Sequence, residues 1–399
     1  MPIKAMLVFG TRPEALKLCP LALHLREHPA FCQVRVCVTA QHRDLLDSAL
    51  ATFGILPDYD LDIMSDAQTL AEVTSRVLSR LDPVLAAESP DIVYVQGDTT
   101  STLAGALGAF YRRIPVAHVE AGLRTGDLTS PFPEEINRVL TGRLCALHFA
   151  PTERAACNLR REGLPESALR VTGNTGIDAL LWVRARLLAG QLPGYDGPAK
   201  QSGKHLILVT AHRRENFGAG LDGICTALLR LAARGDCNVV YPVHPNPRVR
   251  EHVKRRLGKV RGIHLIEPLE YVSFVDLMRR SDLILTDSGG IQEEAPALGK
   301  PVLVLRESTE RQEAIEAGTA ILVGTNPDVI FGEASRLLDC EPARRAMTSV
   351  HNPFGRGQAC RLIADATVSF FRGISPRHAA VSAPPVAPFE QRTACGERL

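Results

Sequence analysis

Short apolar runs alternate twice along the chain with longer amphipathic segments, and this alternation constrains the fold more than any other sequence feature. The runs are rich in valine and isoleucine and do not alternate strictly with polar residues, as expected of parallel strands covered on both faces. The first series comprises residues 4–10, 34–40, 91–97, 115–121 and 147–152, and the second comprises 205–212, 238–244, 263–269, 283–290, 301–305 and 320–324. Two such series predict an α/β protein with two Rossmann-like, doubly wound parallel sheets.

The length of the chain also favours two domains, because 399 residues exceed what a single hydrophobic core usually supports. A stretch rich in proline and glycine, 190–204, predicts a loop, and we place the crossover between the domains earlier. The predicted domains are 1–172 and 173–354. Residues 373–399 are rich in alanine and proline and lack apolar periodicity, which predicts a disordered tail.

Composition excludes several classes of protein. The formal net charge is +2, from 46 Lys and Arg against 44 Asp and Glu, so bulk electrostatics does not favour a nucleic-acid binder. The ten cysteines are scattered without a C-x-x-C pair, which indicates reduced buried thiols rather than disulfides or metal ligands. No apolar run reaches the roughly 18 residues of a membrane helix, and no signal peptide opens the chain. We therefore expect a cytoplasmic protein without membrane insertion.

The first turn, FGTRPEALK at 9–17, follows a predicted strand and opens a helix. It is not a G-x-G-x-x-G motif, which argues against a dinucleotide site. Thr11 can cap the helix, and Pro13 falls in its first turn. Arg12 then lies at the carboxyl edge of the sheet, where it is either a ligand contact in the crevice or a solvated loop residue.

The segment 286–301, TDSGGIQEEAPALGKP, predicts an anion site where a strand gives way to a helix. Gly289 and Gly290 let a phosphate approach the backbone closely, and the free N–H groups and helix dipole attract it. Glu293 and Glu294 lie one turn further, where a carboxylate can accept from both ribose hydroxyls. A tight turn with acidic residues near the dipole is the alternative, but it explains the glycines poorly.

A cluster of polar residues falls at further strand ends and helix starts. Asp98 and Glu120 each follow a predicted strand of the first series, and His212 follows one of the second. Glu134 and Arg138 lie four residues apart at the start of a helix, so they share a face and can pair. Each residue alone could be a cap or a surface ion pair. Together they predict a ligand site, because open α/β sheets bind ligands at the carboxyl ends of their strands.

The chain resembles the non-hydrolysing UDP-N-acetylglucosamine 2-epimerases over residues 3–372. The motifs that carry the resemblance, in chain order, are GTRPEALKL, QGDTTST, HVEAGLRTGD, SPFPEEINR, HFAPT, TGNTGID, TAHRREN, PVHPNP and TDSGGIQEEAP. The resemblance implies the GT-B architecture, in which two Rossmann-like domains face a central cleft. The second domain would bind UDP, and a last helix at about 355–372 would return to the first. The resemblance also implies interconversion of UDP-GlcNAc and UDP-ManNAc without an added cofactor or metal, by a homodimer.

The resemblance further assigns roles to individual residues. The catalytic acids and bases would be Asp98, Glu120, Glu134 and His212. The substrate-binding residues would be Arg12, Lys17, Arg138, Ser288, Gly289, Gly290 and Glu294. Some members are activated by a second UDP-GlcNAc, and Gln41 and His244 resemble part of that second site. Asp44 replaces a glutamine expected in the regulated members, which argues against such regulation, and Gln312 replaces a usual proline.

The chemistry of the reaction fits these assignments. The hydrogen at C2 is not acidic, so elimination of UDP to 2-acetamidoglucal and re-addition is the reasonable route. That route needs a firm hold on UDP and carboxylates on more than one side of the ring. A hydrolysing 2-epimerase, an epimerase for a related UDP-sugar, a GT-B glycosyltransferase and an inactive nucleotide-sugar sensor are the alternatives. Residue spacing indicates neither the oligomeric state nor the polysaccharide pathway that the protein serves.

Overall fold

The computed structural model describes residues 2–41, 43–65, 67–198 and 203–373 of the chain. Beyond Gly373, the predicted tail lies outside the described residues. The described part contains two parallel β-sheets, of seven and six strands, with helices packed around them. None of its helices is both long and apolar enough to cross a membrane.

The first sheet has the strand order β3-β2-β1-β4-β5-β6-β7. Its strands are β1 (Ile3–Phe9), β2 (Cys32–Val38), β3 (Tyr59–Asp60), β4 (Ile92–Gln96), β5 (Val116–Val119), β6 (Leu147–Ala150) and β7 (Leu169–Val171). The helices of this half are α1 (Arg12–Arg26), α2 (Arg43–Phe53), α3 (Leu70–Glu88), α4 (Thr100–Tyr111), α5 (Glu134–Leu144), α6 (Glu153–Arg161) and α7 (Thr175–Leu188).

The second sheet has the strand order β10-β9-β8-β11-β12-β13. Its strands are β8 (His205–Thr210), β9 (Cys237–Pro242), β10 (Ile263–Ile266), β11 (Leu283–Thr286), β12 (Val302–Val304) and β13 (Ala320–Leu322). The helices of this half are α8 (Ala219–Ala233), α9 (Pro247–Leu257), α10 (Tyr271–Arg280), α11 (Gly289–Ala297), α12 (Gln312–Glu316), α13 (Pro327–Asp339), α14 (Glu341–Thr348) and α15 (Ala359–Gly373).

The predicted fold class is confirmed, and every strand expected from the apolar runs is present. Strands β3 and β7 were not predicted. They have only two and three residues, most of them partly or fully exposed, and they lie at the two edges of the first sheet. Such short edge strands carry no buried apolar run, so the sequence pattern has no signal for them.

Each sheet reverses its winding direction at one point, and these points determine where a ligand can bind. In the first sheet the reversal lies between β1 and β4, and in the second it lies between β8 and β11. Crevices at the carboxyl ends of such strand pairs are the usual ligand sites of open α/β sheets. Asp98, His212 and Ser288 lie in the turns that follow β4, β8 and β11, and Arg12 begins α1 directly after the turn that follows β1.

The last helix, α15, packs against α1 and α7 of the first half. The hydroxyl of Thr367 lies 2.6 Å from that of Tyr94 in β4. At the other end of α15, the Asp178 carboxylate accepts from the backbone N–H of Ala359 and of Cys360. The helix expected at about 355–372 therefore contacts the first half. The boundary between the domains at 172/173 stays a prediction, because α7 also packs against α10 and α11.

The cysteines of the described part, nine in all, are free. Six of them are buried, and burial raises the pKa of the Cys32 thiol to about 11 and that of Cys237 to about 12. Thiols with such values are protonated and unreactive near neutral pH. This agrees with the prediction of buried reduced thiols, although Cys340 is exposed.

Candidate active site

A cavity of about 360 Å³ opens at the carboxyl ends of β1, β4 and β5. Five of the predicted site residues line it: Lys17, Asp98, Glu120, Glu134 and Arg138. Sequence reasoning did not assign Glu14, Gln96, Thr99 or Arg311 to a site, and these also line the cavity. The first-half members of the predicted polar cluster are thus brought together, with one cation, Arg311, added from the second half of the chain. His212, the member from the second half, does not line this cavity.

Glu120 follows β5 and is the most constrained acid of the cavity. Its backbone adopts the left-handed conformation, with a φ of 63°, which costs a non-glycine residue about 1–3 kcal/mol. The buried carboxylate accepts from Lys17 Nζ and Gln96 Nε2. Burial lowers the pKa of Lys17, but Glu120 and Glu293 more than offset this and hold that pKa above its usual value. Lys17 therefore places a positive charge directly against the Glu120 carboxylate.

Asp98 follows β4 and is held by Arg138 of α5. Arg138 Nε donates to Asp98 Oδ2 at 2.8 Å, and Arg138 Nη1 donates to Glu135 Oε2 at 2.9 Å. The pairing of Arg138 with Glu134, expected from their spacing, is not formed between these two described residues. The Arg138 guanidinium is instead directed at two other carboxylates, those of the buried Glu135 and of Asp98. These contacts replace the pairing that the spacing of Glu134 and Arg138 allows.

Glu134 is the first residue of α5 and is partly exposed to the cavity. Among the residues that the structure describes, its carboxylate has no hydrogen-bond or ion-pair partner. Asp98 and Glu120 are instead both held by cations. Of these three acids, Glu134 is therefore the one that no described protein group holds in place.

Glu14 is a buried acid of the cavity wall that sequence reasoning missed. Its carboxylate accepts from the backbone N–H of Gly10 and Thr11, at 3.0 and 2.7 Å, and from the hydroxyls of Thr99 and Thr102, at 2.8 and 2.9 Å. Burial raises its pKa, although these hydrogen bonds oppose the rise. Glu14 ties the turn after β1 to the turn after β4. The T-x-x-E spacing from Thr11, typical of a helix cap, is the signal that could have identified it.

The anion site predicted at the start of α11 has the expected local structure. Ser288 is the N-cap, and the helix begins at Gly289. A Cβ added to Gly289 would lie 3.0–3.2 Å from the Arg311 guanidinium, whereas one added to Gly290 would meet nothing within 4 Å. Arg311 therefore depends on the glycine for its close approach. It places a cation beside the positive end of the helix dipole, an arrangement suited to a diphosphate.

His212 follows β8 and is oriented by a residue that was not predicted, the fully buried Asp287. Asp287 Oδ2 accepts from the backbone N–H of His212 and Arg213, at 2.7 and 2.8 Å. His212 Nδ1 lies 3.4 Å from Asp287 Oδ1. Burial lowers the pKa of His212 despite the nearby carboxylate, so the imidazole is neutral at physiological pH. A neutral ring carries one N–H, and it can donate to a phosphate oxygen when that hydrogen is on Nε2.

The residues of the predicted second nucleotide site belong to different halves of the chain. The His244 ring stacks on that of His212, with centroids 5.1 Å apart and an interplanar angle of 10°. Gln41 Oε1 accepts from the Ser101 hydroxyl at 2.9 Å. His244 is thus in contact with a candidate active-site residue, and occupation of a second site by a ligand stays a prediction.

Glu294 lies one turn into α11, close to two cations of the first half, Arg12 and Lys17. Burial raises the pKa of Glu294 to about 8, and the neighbouring Glu293 adds to the rise, while Lys17 and Arg12 oppose it. The predicted UDP-binding residues of the two halves therefore face each other at this point.

Comparison with solved structures extends the fold assignment beyond close relatives. A structure described as the glycotransferase of kitacinnamycin is 13% identical and has a TM-score of 0.61, covering 94% of this chain and all of that one. At this identity the likeness concerns the fold alone. It agrees with the GT-B architecture, two Rossmann-like domains about a central cleft.

Closer relatives cover nearly the whole chain. The sequence profile of the family described as UDP-N-acetylglucosamine 2-epimerase matches residues 24–367. The UDP-N-acetylglucosamine 2-epimerase of Salmonella typhimurium is 55% identical over 373 residues, which are 92% of this chain and 99% of the relative. The crystal structure of UDP-GlcNAc 2-epimerase from Neisseria meningitidis bound to UDP-GlcNAc is 47% identical with a TM-score of 0.82, covering 92% and 100% of the two chains. With this agreement in sequence and fold, the chain belongs to the UDP-N-acetylglucosamine 2-epimerase family.

Proposed function

We propose that this epimerase interconverts UDP-GlcNAc and UDP-ManNAc without hydrolysis, by eliminating UDP and adding it back. The observation that carries the proposal is the convergence of Asp98, Glu120 and Glu134 on one cavity. Arg311, which lies beside the anion site of the second half, closes the same cavity. A glycosyltransferase would need the anion site but has no need for all three acids.

The proposed reaction begins with loss of the C2 proton to a carboxylate. The electrons of the C2–H bond form a C1=C2 double bond, and those of the C1–O bond leave with UDP. In the second step a proton is delivered to C2 from the opposite face while a phosphate oxygen of UDP bonds to C1. The product differs from the substrate only at C2, and the carboxylates are restored over the cycle when they exchange protons with solvent.

The contacts of each acid suggest its part in these steps. Glu120 is positioned by its ion pair with Lys17 and is suited to accept the C2 proton. Glu134 has no cation in contact among the described residues and is suited to deliver a proton to the other face. Asp98, fixed by Arg138, orients the sugar or serves as a third proton carrier.

UDP must stay bound while the glucal intermediate exists. The N-terminus of α11, Arg311 and the neutral His212 can hold the diphosphate, and Glu294 can accept from the ribose hydroxyls. Arg12 and Arg138 contribute positive charge from the first half. Enclosure of the intermediate between the two halves would exclude water, which is what a non-hydrolysing reaction requires.

The products formed in heavy water test this proposal. We expect UDP-GlcNAc to give UDP-ManNAc carrying deuterium at C2, observed by NMR, without accumulation of free ManNAc. Free ManNAc together with UDP would instead establish a hydrolysing enzyme. Absence of deuterium at C2 would favour a transferase. Much faster turnover of a UDP-sugar modified at C3 or C6 would reassign the substrate.

The raised pKa of Glu294 predicts that UDP binding strengthens as the pH rises. The carboxylate form, which accepts from both ribose hydroxyls, becomes dominant only above a pKa of about 8. We expect the Kd for UDP, measured by calorimetry, to fall about tenfold from pH 7 to pH 9, as full dependence on one ionisation implies. The Glu294→Gln variant should show a weaker dependence. An equal dependence in both proteins would exclude Glu294 as its source.

We also infer a cytoplasmic homodimer that supplies ManNAc units for cell-surface polysaccharide. The neighbouring helices α3, α4 and α5 expose large apolar side chains: Leu70, Phe110, Tyr111 and Leu140. Exposed apolar residues on adjacent helices are suited to a contact between two copies of a chain. Light scattering should give the mass of a dimer, and a monomer at micromolar concentration would contradict the inference.

A further inference from the structure

Two segments that join the halves of the molecule lie against each other; we call residues 172–174 and 352–355 the crossing segments. The backbone N–H of Asn174 donates to the carbonyl of Phe354 at 2.8 Å. Gly173 and Gly355 have φ values of 85° and 122°, and a Cβ on Gly173 would lie 3.1 Å from the Phe354 carbonyl oxygen. Glycine therefore permits both the backbone conformation and the close approach of the crossing segments.

The buried side chain of Asn174 extends from the crossing segments to two carboxylates. Its Oδ1 accepts from the Gly176 backbone N–H at 2.8 Å, which caps α7 and fixes the orientation of the amide. Its Nδ2 lies 2.5 Å from Glu293 Oε2 and 3.4 Å from Glu120 Oε1. The amide group has two hydrogens, so it can donate one to each carboxylate. One buried side chain thus joins a cavity acid of the first half to an acid of the second.

The two carboxylates around Asn174 are each paired on their far side. Glu293 Oε1 accepts from Arg311 Nε at 2.8 Å, and Glu120 pairs with Lys17. Hydrogen-bond donors and acceptors alternate from one half of the molecule to the other, in the order Arg311, Glu293, Asn174, Glu120 and Lys17. Asn174 is the neutral donor in the middle, where any negative group would face repulsion from both neighbours.

We propose that Asn174 is a positioning residue that couples the docking of Glu293, and with it the second half, to the placement and ionisation of Glu120. The inference rests on the proposed function, in which Glu120 takes the C2 proton. Glu293 fixes one hydrogen of the amide, and the other is then directed at Glu120. Lys17, Arg311 and His118 interact electrostatically with Glu120, and Glu293 lies across Asn174. The charged groups Glu14, Asp98, Glu134 and Arg138 line the same cavity. Burial lowers the pKa of His118 to about 4, so it adds no charge near neutral pH.

The Asn174→Asp variant tests the inference with little change of shape. The aspartate keeps an oxygen for the Gly176 N–H, so the cap of α7 is preserved. It places a carboxylate where the donor stood, between Glu120 and Glu293, and so raises the pKa of Glu120. We expect kcat at pH 7 to fall about 100-fold or more, and the acidic limb of the kcat–pH profile to move up by at least about one pH unit.

Asn352→Asp is the matched control, because Asn352 lies in the other crossing segment and is also buried. Its Nδ2 donates to the backbone carbonyl of Glu293 at 2.9 Å and is not hydrogen-bonded to either carboxylate. This variant should lower the melting temperature without moving the acidic limb. Equal shifts of that limb in the two variants would assign the effect to loosened crossing segments and overturn the inference.

Titration of the Glu120 carboxyl by carbon-13 NMR separates this inference from the proposed function. The Glu120 signal is identified by its loss in Glu120→Gln. We expect its midpoint to rise in Asn174→Asp and to stay unchanged in Asn352→Asp. If the wild-type protein does not epimerise UDP-GlcNAc, the proposed function is contradicted. The titration still tests the role of Asn174 in that case. An unmoved Glu120 midpoint in Asn174→Asp contradicts that role whatever the activity.

Discussion

The Glu134→Gln variant is expected to lose about 1,000-fold in kcat for epimerisation while binding UDP with nearly unchanged affinity. Glutamine keeps the shape and polarity of the side chain but cannot exchange a proton. The carboxylate has no protein partner among the described residues, so its removal leaves no buried cation unpaired. The loss should therefore fall on kcat, measured by NMR of the UDP-sugar products, rather than on the Kd for UDP, measured by calorimetry.

Glu153→Gln provides a matched control for this variant. Glu153 is the first residue of α6, as Glu134 is of α5, so both substitutions remove a negative charge from a helix N-terminus. That loss costs each protein about 0.3–1 kcal/mol of stability at most. Glu153 is exposed and pairs with Arg160 outside the cavity. Only Glu134→Gln should lose turnover, and near-normal turnover would remove Glu134 from the proton-transfer role.

The location of the acids was predictable because it follows from the topology of parallel sheets. The carboxyl ends of parallel strands meet at one edge, so residues placed after strands, such as Asp98 and Glu120, had to lie close together. The start of α11 was predictable for a similar reason, since a strand followed by Ser288 and two glycines starts a helix there. These inferences need only local pattern and strand order.

The remaining contacts of the site depend on groups that are distant in sequence. Lys17 and Glu120 are 103 residues apart, and Asn174 and Glu293 are 119 apart. Spacing carries no signal at such separations. Arg311 follows neither a strand nor a glycine-rich turn, so nothing in its own segment marks it as a cavity residue. For the same reason the spacing could not show that Arg138 pairs with Asp98, which follows β4, and not with Glu134.

Replacement of Arg311 by Met is expected to weaken UDP binding about 100-fold or more. The guanidinium lies beside Gly289 at the start of α11, where a diphosphate would sit, and it lines the cavity. Charge-assisted hydrogen bonds contribute about 1.5–3 kcal/mol each, so the loss of one weakens binding about 10- to 150-fold and the loss of two exceeds 100-fold. Methionine also leaves Glu293 without its cation, which raises the local negative charge against the incoming diphosphate. Calorimetry with UDP measures the effect, and Arg311→Lys should recover part of it.

Destabilisation of the loop that carries Arg311 is the competing explanation, and Arg306→Met distinguishes it. Arg306 lies in the same segment, is more deeply buried than Arg311, and pairs with Glu215 and Glu310 instead of lining the cavity. Both variants remove a buried cation from a pair, so both should lower the melting temperature by several degrees. Only Arg311→Met removes the charge that faces Gly289. A similar loss of UDP affinity in Arg306→Met would therefore show that the loop, and not the Arg311 guanidinium, determines binding.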